Sequence, residues 1–209
     1  AKTYLPRHNG VEFFYLLMKP QPTQPPETDW HFVQELQAPL WTRHNWKPRA
    51  AQADEASLAD GVCISANFPD ANNLLETAYA DMQDFLNAGD VKSTFGKADK
   101  STFTIETAKV ETSVLEEYRI TITAEKVLIA AADTEGIRRG LFHLEEEMLR
   151  RGGAFLPIGE LARKPVTRTR ISRCFFGPIN RTPKNRDELA DDVDYYPDQY
   201  LNRLAHHGI

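Results

Sequence analysis

The chain has 209 residues, 41% of them hydrophobic and 26% charged, a composition that fits one or two globular domains and excludes disordered and collagen-like architectures. Twenty-five Lys and Arg against 30 Asp and Glu leave a net charge of −5, so no basic field steers the chain onto nucleic acid and no such partner is expected. The longest strongly apolar run, residues 11–18, is far below the ~20 residues of a membrane-spanning helix, and no membrane partner is expected either.

Residues 1–57 read as an N-terminal arm. Gly10 to Met18 has the aromatic, apolar content of a strand, and the proline-rich stretch Pro20 to Pro26 follows as an extended connector. Trp30, Trp41 and Trp46 then give a high aromatic density that must pack against something; the same rings could also line a sugar-binding surface. Cys63 and Cys174 are too few and too far apart for a disulfide framework or a metal cluster, and they leave the compartment undecided. Cytoplasmic and secreted locations both stay open, because a processed start at Ala1 would hide a signal peptide.

From Gly61 the periodicities sharpen. Val62, Ile64, Ala66 and Phe68 alternate with polar neighbours, which predicts a strand over 61–67. A helix should follow, with Asp70 as its N-cap, an apolar stripe through Leu75, Ala78, Met82 and Phe85, and Gly89 as a left-handed C-cap. Strands are expected over 102–107, 117–123 and 126–131, the last two forming an antiparallel hairpin around Ala124 and Glu125. A second helix should open at Asp133 or Thr134, carry Ile137, Leu141, Leu144 and Met148 on one face, and stop at Gly152 and Gly153. Its acidic run Glu145, Glu146 and Glu147 reads as a solvated face pairing with Arg150 and Arg151, because consecutive helical positions point in different directions. Phe155 to Leu161 is a short edge-type strand, and Arg163-Lys-Pro165 marks a break. Residues 58–165 therefore predict an α+β domain, a mostly antiparallel sheet with two helices on one face.

A new pattern starts at residue 166. Arg170 to Phe176 reads as a strand, and Pro197 opens a helix through Leu201, Leu204 and Ala205. One β-α unit with no parallel partner strand looks like the start of a truncated (β/α)8 barrel, and the long connection from Gly177 to Tyr196 would then lie on the rim of its active-site face.

Three stretches carry a family resemblance: Asp133-Thr-Glu-Gly-Ile-Arg-Arg-Gly-Leu-Phe-His-Leu144, Thr167-Arg-Thr-Arg-Ile-Ser-Arg173 after the basic linker, and Tyr200-Leu-Asn-Arg-Leu-Ala-His-His-Gly-Ile209. From about Gly61 onward the chain resembles the N-terminal, zincin-like-fold domain and first barrel unit of family 20 glycoside hydrolases, the β-N-acetylhexosaminidases. The resemblance implies that the chain is the N-terminal part of an enzyme cleaving β-linked glycans, N-acetylhexosamine-containing ones among them. Its catalytic carboxylates would lie on later barrel strands, outside these residues, so the fragment alone should be inactive. Among the residues present, the resemblance places Arg170 at the family's substrate-binding arginine, with Ile171 where the family has glycine and Phe175 near an expected aspartate. Strand alternation sends Arg170 and Arg173 to opposite sides, so at most one of the two reaches substrate.

Catalytic residues stay unassigned, and no cofactor or metal is expected: there is no His-Glu-x-x-His, and the adjacent His206 and His207 do not share a helix face. The expected partners are a carbohydrate substrate and the remainder of the barrel, in the same polypeptide or a companion chain, with a homo-oligomer left open. The competing functional reading is a non-catalytic carbohydrate-binding or scaffolding module.

Overall fold

The computed structural model describes residues 31–96, 102–172, 194 and 196–209. Two units separate within it: residues 1–38 with 172–201, and residues 39–171 with 202–209. Of the first unit, the described part is residues 31–38, which include a six-residue helix, α1 (His31–Leu36), together with Ser172, Asp194 and residues 196–201.

The second unit contains the strands β1 (Glu55–Ser57), β2 (Val62–Ser65), β3 (Ser93–Phe95), β4 (Phe103–Lys109), β5 (Tyr118–Ile122), β6 (Lys126–Ala131), β7 (Phe155–Pro157) and β8 (Gly159–Arg163). Its helices are α2 (Glu76–Ala88) and α3 (Thr134–Arg151). The last helix, α4 (Asp198–His206), has its final turns from Asn202 onward in this unit. β1 and β7 form a small antiparallel pair, and the other six strands form one sheet in the order β3-β2-β4-β6-β5-β8.

The α+β class holds, but the sheet is mixed and not mostly antiparallel. β2 pairs in parallel with both β3 and β4, and β4 in parallel with β6; only β5 with β6 and β5 with β8 are antiparallel. The physical reason starts with α2, which acts as a crossover: it returns the chain to the end of the sheet from which β2 started, so β3 runs in the same direction as β2. The expected hairpin is present, with β6 at the expected bounds and β5 one residue shorter at each end, and it is β6, not β5, that lies against β4.

Both helices cover one face. On β4, Phe103, Ile105 and Thr107 are buried while Thr104 and Glu106 are half-exposed, the period-2 signature of a sheet with one covered side. Thr107 lies opposite Ile129 of β6 and accepts or donates a 2.9 Å hydrogen bond with Tyr79 of α2. A Cβ on Gly140 of α3 would come within 2.3 Å of Ile129 Cγ2, so glycine there lets the helix axis approach the same side. The core between them holds Ile64, Leu75, Met82, Phe85, Leu86, Ile105, Ile120, Ile129, Ile137, Leu141 and Leu144, all fully buried. By area bookkeeping, each such aliphatic or aromatic side chain contributes roughly 1.5–3 kcal/mol relative to exposure.

The helix ends deviate locally from the sequence expectation. α3 begins as expected, with Asp133 Oδ1 accepting from Gly136 N at 2.8 Å, and stops at Gly152 in the left-handed region, φ 63°. α2 starts later than expected, because Asp70 accepts instead from the backbone of Leu75 at 2.7 Å and closes a turn before the helix. At its other end Gly89 has φ −95° and Asp90 takes the left-handed position, φ 60°. Gly89 is needed for space: a Cβ there would lie 2.2–2.8 Å from the Trp46 ring.

The stretch expected to begin a barrel is only partly described. α4 forms where Pro197 predicts it, while residues 170–172 carry no strand and the rest of the expected strand lies outside the described residues. Among the described residues, no helix is long and apolar enough to cross a membrane.

Candidate functional site

The side chains of most chemical interest are buried together where α2, α3 and the last turns of α4 meet. α2 presents Asp81 from the same stripe that buries Ala78, Met82 and Phe85. α3 presents Glu145, one turn beyond Leu141, and α4 presents His206, with Asn202 one turn before it. His206 Nε2 lies 2.9 Å from Asp81 Oδ2 and 3.2 Å from Glu145 Oε2. Among the described residues, this is the one group of three or more such donor side chains whose ligand atoms all lie within 4.8 Å of one another.

The surroundings treat the two carboxylates differently. Asp81 Oδ1 accepts from Trp41 Nε1 at 2.9 Å and from Asn202 Nδ2 at 2.6 Å, which fixes the carboxylate plane and turns Oδ2 toward the histidine. Glu145, 1% exposed, has no hydrogen-bond donor aligned with either oxygen. Both nitrogens of His206 also lack an aligned partner, because the Nε2 approach is short but out of line. Phe142 and Trp41 pack around the imidazole with ring centroids at 3.7 and 5.2 Å.

Burial dominates the electrostatics. Loss of water pushes Asp81 up to about 6, partly offset by the bonds from Asn202 and Trp41. The same loss, reinforced by the neighbouring Asp81 and Glu146, drives Glu145 well above the ordinary carboxylate range. It also pushes His206 down to about 4, with the nearby His207 and Arg139 acting in the same direction. Such a cluster can share protons or hold a cation, and its burial closes it to a substrate the size of a sugar.

This overturns the solvated-face reading of the acidic run on α3. Glu145 is in the buried cluster, and Glu147, also buried, contacts Arg150, Arg151 and His143; Glu146 alone is exposed. A signal was present in the sequence. Asp81 and Glu145 both fall within the stripes of apolar positions that define their helices, and a carboxylate on an apolar stripe marks a buried polar site.

Arg170 is engaged inside the second unit. Its guanidinium donates to Glu116 Oε2, to the Gly208 carbonyl and, at 2.6 Å, to the Thr167 carbonyl. Arg139 completes the arrangement, lying 3.5 Å from the same Glu116 oxygen and donating to the Ala205 carbonyl at 2.6 Å. Two arginines thus hold the last carbonyls of the C-terminal segment, where the helix dipole favours cations. Arg173 lies outside the described residues, as does most of the Gly177–Tyr196 connection. Trp41 and Trp46 are partly buried against the core; Trp46 stacks on His44 at 4.6 Å and edges Phe85, so packing accounts for both rings. Trp30 lies outside the described residues. An open cleft of about 680 Å³ runs beside Trp46, between Arg43, Lys47 and Phe155.

No family model matches the chain, and no curated protein matches it. Several solved structures do in part. A β-N-acetylhexosaminidase from Bacteroides fragilis is 18% identical over 59% of this chain and 24% of its own, with a TM-score of 0.40. A Streptomyces plicatus β-hexosaminidase is 16% identical over 63% of this chain and 28% of its own, at 0.41. A GH138 enzyme targeting pectin rhamnogalacturonan II is 14% identical over 50% and 12%, at 0.42. The chain therefore spans less than a third of each of these structures.

Proposed function

We propose that the chain is the N-terminal part of a glycoside hydrolase acting on β-linked glycans, N-acetylhexosamine-containing ones among them, with the catalytic carboxylates outside these residues. The observation that supports this reading most is the order of elements. The helix Asp133 to Leu144, on which the sequence resemblance rests, closes an α+β unit by packing on β6, and is followed by β7, β8 and a basic, proline-containing linker before α4. In this reading residues 58–165 are the non-catalytic domain that precedes a barrel, and 166–209 begin the barrel, with α4 its first helix. Arg170 and Arg173 remain the substrate-binding candidates. At most one of them reaches substrate; Arg170 bonds Glu116 and the Gly208 carbonyl, and the planar fork of an arginine can bond two sugar hydroxyls at once.

The test is an assay on aryl β-N-acetylhexosaminides and other aryl β-glycosides, run on residues 1–209 and on the product of the complete gene. The expected result is turnover by the complete product alone. Turnover by residues 1–209, or glycosidase activity in neither protein, contradicts the reading.

A further inference from the structure

We propose that Asp81, Glu145 and His206 form a buried structural site for a divalent transition-metal ion of the zinc class, clasping the last turns of α4 to α2 and α3. The donor geometry fits one centre. Bonds of about 2.0–2.2 Å to an imidazole nitrogen and to carboxylate oxygens, set at tetrahedral angles, separate the donors by roughly 3.3–3.6 Å. His206 Nε2 already stands 2.9 Å from Asp81 Oδ2 and 3.2 Å from Glu145 Oε2, so small side-chain rotations complete the set.

Independently of this spacing, Glu145 points to a missing partner. It is 1% exposed, neither oxygen has an aligned N–H donor, its carboxyl meets that of Asp81, and Oε2 stands 3.2 Å from the histidine nitrogen, itself without an aligned partner. Native proteins rarely leave such groups unsatisfied, and a cation would satisfy all of them at once. With neither Glu145 oxygen held by an aligned donor, a bidentate carboxylate or a water fills the remaining coordination.

The shell behind the ligands is built in the manner of a metal site. Asp81 has one oxygen held by Trp41 and Asn202 and the other left for the ion, the arrangement by which outer hydrogen bonds orient ligating carboxylates. The imidazole nitrogen selects against calcium and magnesium, which prefer all-oxygen shells, and in favour of zinc, cobalt or nickel. The ion would act structurally, because its ligands come from three helices and Asp81 and Glu145 are buried.

Zinc and cobalt(II) serve as probes. The full chain, stripped with a chelator, is dialysed against each metal, and stoichiometry, the cobalt d–d spectrum and the thermal midpoint are read. One equivalent of zinc per chain, a tetrahedral cobalt spectrum and a raised midpoint are expected. Glu145→Gln, close in shape to the native side chain, and His206→Ala should lose the equivalent, while His207→Ala, at an exposed neighbour, should keep it. Asn202→Ala should weaken binding about 10–100-fold through the loss of carboxylate orientation. Circular dichroism confirms the fold of each variant, and Glu145→Gln alone decides the matter if His206→Ala fails to fold. Uptake well below one equivalent, or full uptake retained by Glu145→Gln, overturns the proposal.

Discussion

The two buried sides of α3 are held by different physics. Toward β6 it approaches closely through Gly136 and Gly140, and its apolar stripe with Ile137, Leu141 and Leu144 is buried in the core, where close approach and apolar area do the work. Toward α2 and the end of α4 it presents Glu145 to Asp81 and His206, where polar groups must find partners or remain a cost. The first side is non-directional and shared by a whole face of the sheet. The second is directional, depends on three side chains, and fastens only the last turns of α4. Damage to the apolar side should therefore lower the stability of the whole unit, and damage to the polar side should release one segment.

The largest effect is expected on the apolar side. Leu141→Ala should destabilise the unit by about 2–5 kcal/mol in chemical denaturation, since it leaves a cavity in a fully buried position. Gly136→Ala should cost about 1–3 kcal/mol despite alanine's better helix propensity, because its Cβ would lie 2.8 Å from the Glu117 carbonyl oxygen and 2.7 Å from Ala131 Cβ. Unchanged stability in that variant would mean that α3 can lift off β6 without loss.

A smaller effect belongs to Glu55, a third kind of contact at the C-terminal end of α3. Arg49 holds its carboxyl down to about 2, helped by the Gln52 amide and by Arg151. A carboxylate whose folded value is depressed stabilises the fold above its unfolded value of about 4.5, and loses that contribution as pH falls toward 2. The stability gap between the native chain and Glu55→Gln should therefore be full at pH 6 and close on acidification to pH 2; a gap independent of pH would refute the assignment. The smallest effect is expected for Arg43→Ala. Its pairing with Asp90 is at 3.4 Å between largely exposed side chains, so the loss should stay within about 1 kcal/mol and shrink further with salt.

The same contrast explains how much could be read from the sequence. β2, β4, β5, α2 and α3 were legible because each repeats apolar residues at its own period, and β6 because it is a continuous apolar run that follows a tight turn. β1 and β3 were not, since three residues are too few to show any period. The parallel pairing escaped because strand direction is set by how α2 crosses over, which no local pattern records. Gly89 looked like a left-handed cap, yet its glycine answers to the bulk of Trp46, forty-three positions away in sequence. The buried cluster was half visible in Asp81 and Glu145 on apolar stripes, but His206 enters it only through the packing of α4, and an acidic triplet taken by itself looks like any solvated surface.

The sharpest measurement is hydrogen exchange, amide by amide, on the native chain, His206→Ala and Leu141→Ala in metal-free buffer. The division of labour on α3 predicts that His206→Ala exposes amides 202–209 while β4, β5, β6 and α3 keep their protection, and that Leu141→Ala lowers protection throughout the sheet and both long helices. Global loss of protection in His206→Ala, or a loss in Leu141→Ala confined to a single segment, would contradict it.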